Sequence, residues 1–273
     1  MLRIASCALL LAAALAPTLV FAQAYPFASP VARTTAPAQL DALARDREVT
    51  ERFRRGLDAA AHGDWRTSAD EFTRVVSLDP AEPRGSTARY DLGIAQAHLA
   101  SYSAAEASFD EALRRDPGFA AAAANLVETA LQAGEIARAR RAADRFVAIA
   151  PSSLRAHYSR GLVALQANDL STARADFAAL TVAAPSYALA HYDLAVTEVR
   201  AGDYAAAQNE LEAALALSPG YARARFALAT LMVRANRSAD ASANLARVIQ
   251  DADDPSLRAL AAGLRERLTG TQQ

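Results

Sequence analysis

Prolines at positions 117, 151, 185 and 219 stand 34 residues apart, and each closes a similar run of apolar and polar residues. A fixed period of that length constrains the chain more than its composition does, because it belongs to arrays in which one small supersecondary unit is stacked on copies of itself. The stretch from His191 to Pro219, HYDLAVTEVRAGDYAAAQNELEAALALSP, shows what the unit is. Leu194 and Ala195 mark one face of a first helical segment, Gly202 interrupts it, and Tyr204, Ala207, Leu211 and Ala214 lie along one face of a second. The period therefore predicts a solenoid of helix-turn-helix units.

Composition points the same way. Apolar residues make up 52% of the chain, much of it alanine, aromatics only 7%, and β-branched runs are few, which favours closely packed helices and predicts almost no strand. A formal charge of -1 and a pI near 6.4 give no general attraction for nucleic acid or an anionic membrane, so no nucleic-acid partner is expected. All 29 basic residues are arginine.

Six units follow one another over residues 49–82, 86–119, 120–153, 154–187, 188–221 and 222–255. The first carries Gly56, Gly63, Trp65, Ser68, Phe72 and Pro80; the second Leu92, Gly93, Tyr102, Ala105, Phe109, Ala112 and Pro117. The third starts with a run of alanines but keeps Gly134, Ile136, Ala139, Phe146 and Pro151, and the fourth keeps Gly161, Leu170, Ala173, Phe177, Leu180 and Pro185. The sixth has Leu228, Ala229, Ala241, Leu245 and Val248, with Asn236 in place of the turn glycine and Asp253 in place of the closing proline.

This arrangement resembles the tetratricopeptide repeat family over about residues 49 to 255. The resemblance implies an all-α fold: a right-handed α-solenoid of about six units, with small residues at repeat positions 8 and 20 letting the paired helices approach and positions 24 and 27 filling the space between repeats. It also implies a protein or peptide partner bound without catalysis.

The ends carry their own signals. Residues 1–22 read as a secretory signal peptide, with Arg3 ahead of an apolar run from Ile4 to Phe21 and cleavage after Ala22 or Ala24; an uncleaved anchor is the rival reading. After cleavage no membrane span is expected, and the exported chain would be periplasmic or secreted in a bacterium. Cys7 is the only cysteine, so the exported form has no disulfide, thiol nucleophile or cysteine metal site. Residues 25–36 read as a flexible leader, and a helix is expected from Pro37, with Leu40, Leu43 and Ala44 covering the first repeat; the array as a whole spans 37–255. At the other end Asp254 and Pro255 start a capping helix over 256–268, with an apolar stripe of Leu257, Leu260, Ala261, Leu264 and Leu268.

No phosphate-binding glycine loop, paired-cysteine motif, HExxH or GxSxG string occurs, so neither enzyme activity nor a cofactor is expected. His62, His98, His157 and His191 are spread across repeats and read as satisfied or solvent-facing rather than as metal ligands. The arginines Arg138, Arg140, Arg141 and Arg145 read as a solvated convex face.

One pattern rises above this background. Positions 4 and 5 of the units carry Arg52-Phe53, Arg89-Tyr90, Ala123-Ala124, His157-Tyr158, His191-Tyr192 and Arg225-Phe226. In the family position 5 faces the concave groove, so the resemblance implies an inner surface lined by Phe53, Tyr90, Tyr158, Tyr192 and Phe226. Arg89, His157, His191 and Arg225 would grip carboxylates of an extended peptide, and a smooth pocket beside Ala124 would take a bulky side chain. The expected function is an exported interaction scaffold or adaptor. The alternative is a regulatory or substrate-presenting subunit of an envelope enzyme or secretion complex, including a peptidoglycan or glycan binder. The oligomeric state is open.

Overall fold

The structure, a computed structural model, describes residues 36–78 and 84–270. The expected signal peptide, both cleavage points, the leader as far as residue 35, and Pro80 lie outside the described residues. Among the described residues there are thirteen helices and no strand: α1 (Ala36–Ala61), α2 (Trp65–Leu78), α3 (Arg84–His98), α4 (Tyr102–Arg115), α5 (Ala120–Gln132), α6 (Ile136–Ile149), α7 (Leu154–Gln166), α8 (Leu170–Ala183), α9 (Ala188–Ala201), α10 (Tyr204–Leu217), α11 (Ala222–Arg234), α12 (Ser238–Asp251) and α13 (Pro255–Gly270). The residues up to Ala44 form a unit of their own, of which the opening of α1 is described; Leu43, expected to help cover the first repeat, is exposed there. From Arg45 onward the helices form the second unit, an α-solenoid in which each helix packs against the next in sequence.

The turn inside every repeat is built the same way. Gly63, Ala100, Gly134, Asn168, Gly202 and Asn236, each at repeat position 15, all take the left-handed backbone conformation, with φ from 56° to 84°. Asn236 therefore keeps the turn although the glycine is gone, as asparagine tolerates this region better than other side chains. Ala100 has no such tolerance and carries the strain of the second repeat's turn. Just after three of these turns Asp64, Asp169 and Asp203 accept backbone N–H bonds from Thr67, Thr172 and Ala206, capping α2, α8 and α10.

Inside each repeat the two helices are fitted by size. A Cβ on Gly56, Gly93 or Gly161 would lie 2.9, 2.6 or 2.8 Å from the ring of Phe72, Phe109 or Phe177 respectively, so glycine at position 8 is the hollow that receives phenylalanine at position 24. The fifth and sixth repeats use Ala195 with Leu211 and Ala229 with Leu245, each pair buried in one cluster. The third inverts the sizes, with Val127 on the first helix and Ala143 on the second. Summed volume is held while its distribution shifts, as close-packed interiors require. This corrects the expected partner of position 8: the atoms nearest its missing Cβ belong to position 24, not to the small residue at position 20. Position 20, which runs Ser68, Ala105, Ala139, Ala173, Ala207 and Ala241, is nevertheless fully buried throughout.

Helix α13 closes the array. Asp254 accepts N–H bonds from Ser256 and Leu257 at its start, Ala261 is buried, and Leu257, Leu264 and Leu268 pack on the cluster of Ala229, Leu245 and Val248. Leu260, expected in the same stripe, points away and is 61% exposed, which narrows the capping face to one ridge.

Candidate functional site

The first helices of the second to fifth repeats touch one another directly, α3 with α5, α5 with α7 and α7 with α9, and form one face of the array, here called the inner face. Repeat position 5 lies on it. Phe53, Tyr90, Tyr158, Tyr192 and Phe226 are all half-buried, so each ring keeps part of its surface in solvent. Phe53 meets Phe72 edge-on with centroids 5.4 Å apart, Tyr90 lies 5.9 Å from Phe109, and Tyr158 lies 6.0 Å from Phe177. The rings thus serve the fold and the surface together.

A second row of rings joins them from the last position of the repeat, in the turn leading to the next first helix. Phe119 lies 4.8 Å from Tyr90, Tyr187 lies 6.0 Å from Tyr158, and Tyr221 lies 5.1 Å from Tyr192. Sequence reasoning missed this row, although Tyr187 and Tyr221 stand one period of 34 residues apart. The third repeat breaks both rows, with Ala124 and Ser153 at the two positions. Ala124 is 3% exposed and part of the core, so its own side chain offers almost no open surface.

The tyrosine hydroxyls are tied across the repeat boundaries. Asn125 Nδ2 donates to Tyr90 Oη at 3.2 Å, and Tyr158 Oη donates to Asp193 Oδ2 at 2.9 Å. Asn125 and Asp193 occupy the same repeat position, the one after position 5, so one column ties a tyrosine hydroxyl as a donor at one joint and as an acceptor at another. Burial pushes the Asp193 carboxyl up to about 6 against the stabilising bond from Tyr158, and burial pushes Asp91 up to about 7. Desolvation raises the phenols of Tyr90, Tyr158 and Tyr192, and raises Tyr221 to about 12.

Position 4 turns inward instead. Arg52 reaches Glu71 at 3.2 Å, His157 Nδ1 lies 2.8 Å from Asp176, and His191 Nδ1 lies 2.7 Å from Glu210, each acid sitting 19 residues on in the second helix of the same repeat. Arg89 is buried, donates to the Gly85 carbonyl at 2.8 Å and approaches Glu111 to 3.5 Å. The other edge of the position 4 side chain clasps the preceding repeat: the Pro151 carbonyl lies 2.9 Å from His157 Nε2, the Pro185 carbonyl lies 3.2 Å from His191 Nε2, and Arg225 donates to the Pro219 carbonyl. Asp176, followed by the Pro151 carbonyl, raises the His157 pKa by holding its protonated form. The bulky apolar residue normal at this position in the family is replaced by a polar clasp, and the cationic half of the expected ladder is engaged within the array.

On the other helices, Arg138 binds Glu106 at 2.9 Å and Asp110 at 2.7 Å, Arg140 binds Asp169, and Arg145 donates to the Leu113 carbonyl at 2.8 Å. Three of the four arginines expected on a solvated face are therefore bridges to neighbouring repeats. Among the described residues no group of three His, Cys, Asp or Glu is placed to hold a metal ion, and no helix is long and apolar enough to cross a membrane.

A stack of helix pairs presenting a ring-lined face defines a helical-repeat interaction module. The chain belongs to the tetratricopeptide repeat family, whose sequence models match residues 53–120, 124–188 and 198–264. It is similar in structure to a tetratricopeptide repeat protein from Parabacteroides merdae, with a TM-score of 0.71 at 18% identity over 83% of this chain and 87% of that one. MamA from Desulfovibrio magneticus RS-1 matches with a TM-score of 0.59 at 19% identity, over 64% of this chain and 100% of that one. YrrB, described as a tetratricopeptide repeat protein with an unusual peptide-binding site, matches with a TM-score of 0.58 at 15% identity, over 71% and 99%. No curated protein sequence matches the chain. The family match makes the chain a protein–protein interaction scaffold, and it is a match to an interaction module rather than to a catalytic one.

Proposed function

We propose that this scaffold works in a bacterial envelope, after export directed by residues 1–22, and holds an extended segment of a partner protein along its inner face. The observation that carries the reading is the pairing of Tyr158 with Tyr187 and Tyr192 with Tyr221 on adjacent first-helix edges. Rigid rings partly open to solvent offer large contact area at small conformational cost, which is what repeated peptide capture needs. That YrrB, of similar fold, is described as having a peptide-binding site supports placing the segment on such an array. The position 4 side chains are not part of the grip, since their polar atoms are held by the array.

Recovery from a crosslinked envelope fraction tests this. Wild type should bring down one reproducible protein complex. The Tyr158→Ala/Tyr192→Ala chain should lose it, and so should Tyr187→Ser/Tyr221→Ser, with both variants compared at a temperature well below their own melting transitions. Undiminished recovery by the second variant would sink the groove reading, and enrichment on purified sacculi in place of a protein complex would replace it with wall binding.

A further inference from the structure

Asp193 is the one place on the inner face where a carboxylate stands among four phenols. It is 7% exposed, and its Oδ2 accepts the Tyr158 hydroxyl at 2.9 Å, while its Oδ1 accepts no hydrogen bond among the described residues. The charge of Asp193 also raises the pKa values of Tyr187, Tyr192 and Tyr221, which puts all three phenols, with that of Tyr158, inside its short-range field. The two ring pairs, with centroids 6.0 and 5.1 Å apart, stand at two successive joints, between the fourth and fifth repeats and between the fifth and sixth.

The charge is not needed for the fold. The bond itself needs only an acceptor, so the Oδ1 of an amide at 193 would take the Tyr158 hydroxyl as the carboxylate does, and at the Tyr90 joint a neutral Asn125, there as donor, suffices. A carboxylate only 7% exposed has given up most of its hydration in the unliganded chain, and a cation brought beside it offsets that cost. Arg223, the array's own cation beside Tyr192 and Tyr221, is exposed and makes no ion pair with Asp193.

We propose that Tyr158, Tyr187, Tyr192 and Tyr221, with the carboxylate of Asp193 among them, form a receptor for one cationic side chain, lysine or arginine, of the segment bound along the inner face. The proposal rests on the groove reading and adds its specificity. Cation–π attraction from the ring faces and the Coulomb attraction of a desolvated carboxylate act on the same guest charge. An acidic or neutral residue at that place in the ligand has neither.

The test uses the full chain with its tyrosine rings labelled with carbon-13, titrated with acetylated, amidated pentapeptides Gly-Gly-X-Gly-Gly at neutral pH. With X as arginine or lysine, the signals of the four tyrosines should shift saturably; with norleucine or glutamate they should not. Asp193→Asn, which keeps an acceptor for Tyr158, should weaken the arginine and lysine peptides at least tenfold while the melting temperature stays level or rises. Equal binding of norleucine, or full affinity in Asp193→Asn, overturns the cation receptor. The two readings separate cleanly. If envelope recovery is lost in Tyr187→Ser/Tyr221→Ser but the pentapeptides show no cation preference, the groove stands and the receptor falls. If the cationic peptides bind but recovery is untouched by that variant, the receptor stands and the groove function falls.

Discussion

Gly161 and Phe177 are packed so closely that a Cβ on the glycine would sit 2.8 Å from Cε1 of the ring. Gly161→Ala gains up to about 1 kcal/mol of helix propensity but forces Phe177 off its seat, an overpacking cost of about 1–3 kcal/mol. A net loss of stability is expected in chemical denaturation. Phe177→Leu alone should also destabilise, by opening a void. The double variant Gly161→Ala/Phe177→Leu recreates the Ala195–Leu211 pair of the next repeat and should recover most of the loss, a coupling of about 1–2 kcal/mol. Additive losses would refute the size-complementarity rule.

Ala100 is the alanine among the six left-handed turn residues, with φ of 56°. Ala100→Gly removes a penalty of about 1 kcal/mol, partly offset by the freedom glycine adds to the unfolded chain. A rise in melting temperature is expected, while Gly63→Ala or Gly202→Ala should lower it; equal responses at all three sites would contradict the strain assigned here.

Buried carboxyls set a pH dependence of definite sign. Asp91 has a folded-state value of about 7, raised above its ordinary value by burial, so between roughly pH 4 and 7 the folded chain holds more protons than the unfolded one. The stability linked to Asp91 is therefore complete below pH 4 and is lost as pH rises through 7. Asp91→Asn should stabilise the chain by about 1–3 kcal/mol at pH 8 and change it little at pH 4. A variant effect that is the same at both pH values would refute the linkage.

Glu106 is fully buried, and its carboxylate forms an ion pair with Arg138 at 2.9 Å while neither of its oxygens accepts a well-aligned hydrogen bond among the described residues. Burial raises its pKa and Arg138 opposes the rise. Arg138→Met leaves the charge stranded and should cost about 2–4 kcal/mol at neutral pH, whereas Arg138→Met/Glu106→Gln should restore much of it. If the double variant is no better than the single one, the loss comes from packing of the arginine stem.

The periodic residues made the architecture legible, since Pro117, Pro151, Pro185 and Pro219 fix the register by themselves. The match between positions 8 and 24 was not legible in the same way. A helical wheel shows which face of one helix is apolar but not which residue of the next it meets, so the seating of the Phe177 ring against Gly161 shows only in the structure. The acids Glu71, Asp176 and Glu210 carry no signal in the sequence, because the 19-residue step to position 4 has meaning only once two helices are paired. On the inner face, the position 5 rings could be read from the repeat, and Phe119, Tyr187 and Tyr221 could have been read from its last column. That Asp193 is buried among those rings could not, because it depends on how neighbouring repeats converge.

The clasps from His157, His191 and Arg225 to the carbonyls of Pro151, Pro185 and Pro219 have a mechanical meaning. Each is a rivet across one joint, and the three joints behind the third, fourth and fifth repeats all have one. The joint between the second and third has alanine, Ala123, where the rivet would start. In a quasi-one-dimensional array, where each repeat leans only on its neighbours, a pull along the axis is shed at the weakest joint. At the Ala123 joint the load falls instead on Asn125 against Tyr90 and on Arg138 and Arg145 reaching back to the second repeat, so a pull is passed along the array by side chains of both helices there and by a position 4 clasp at each later joint.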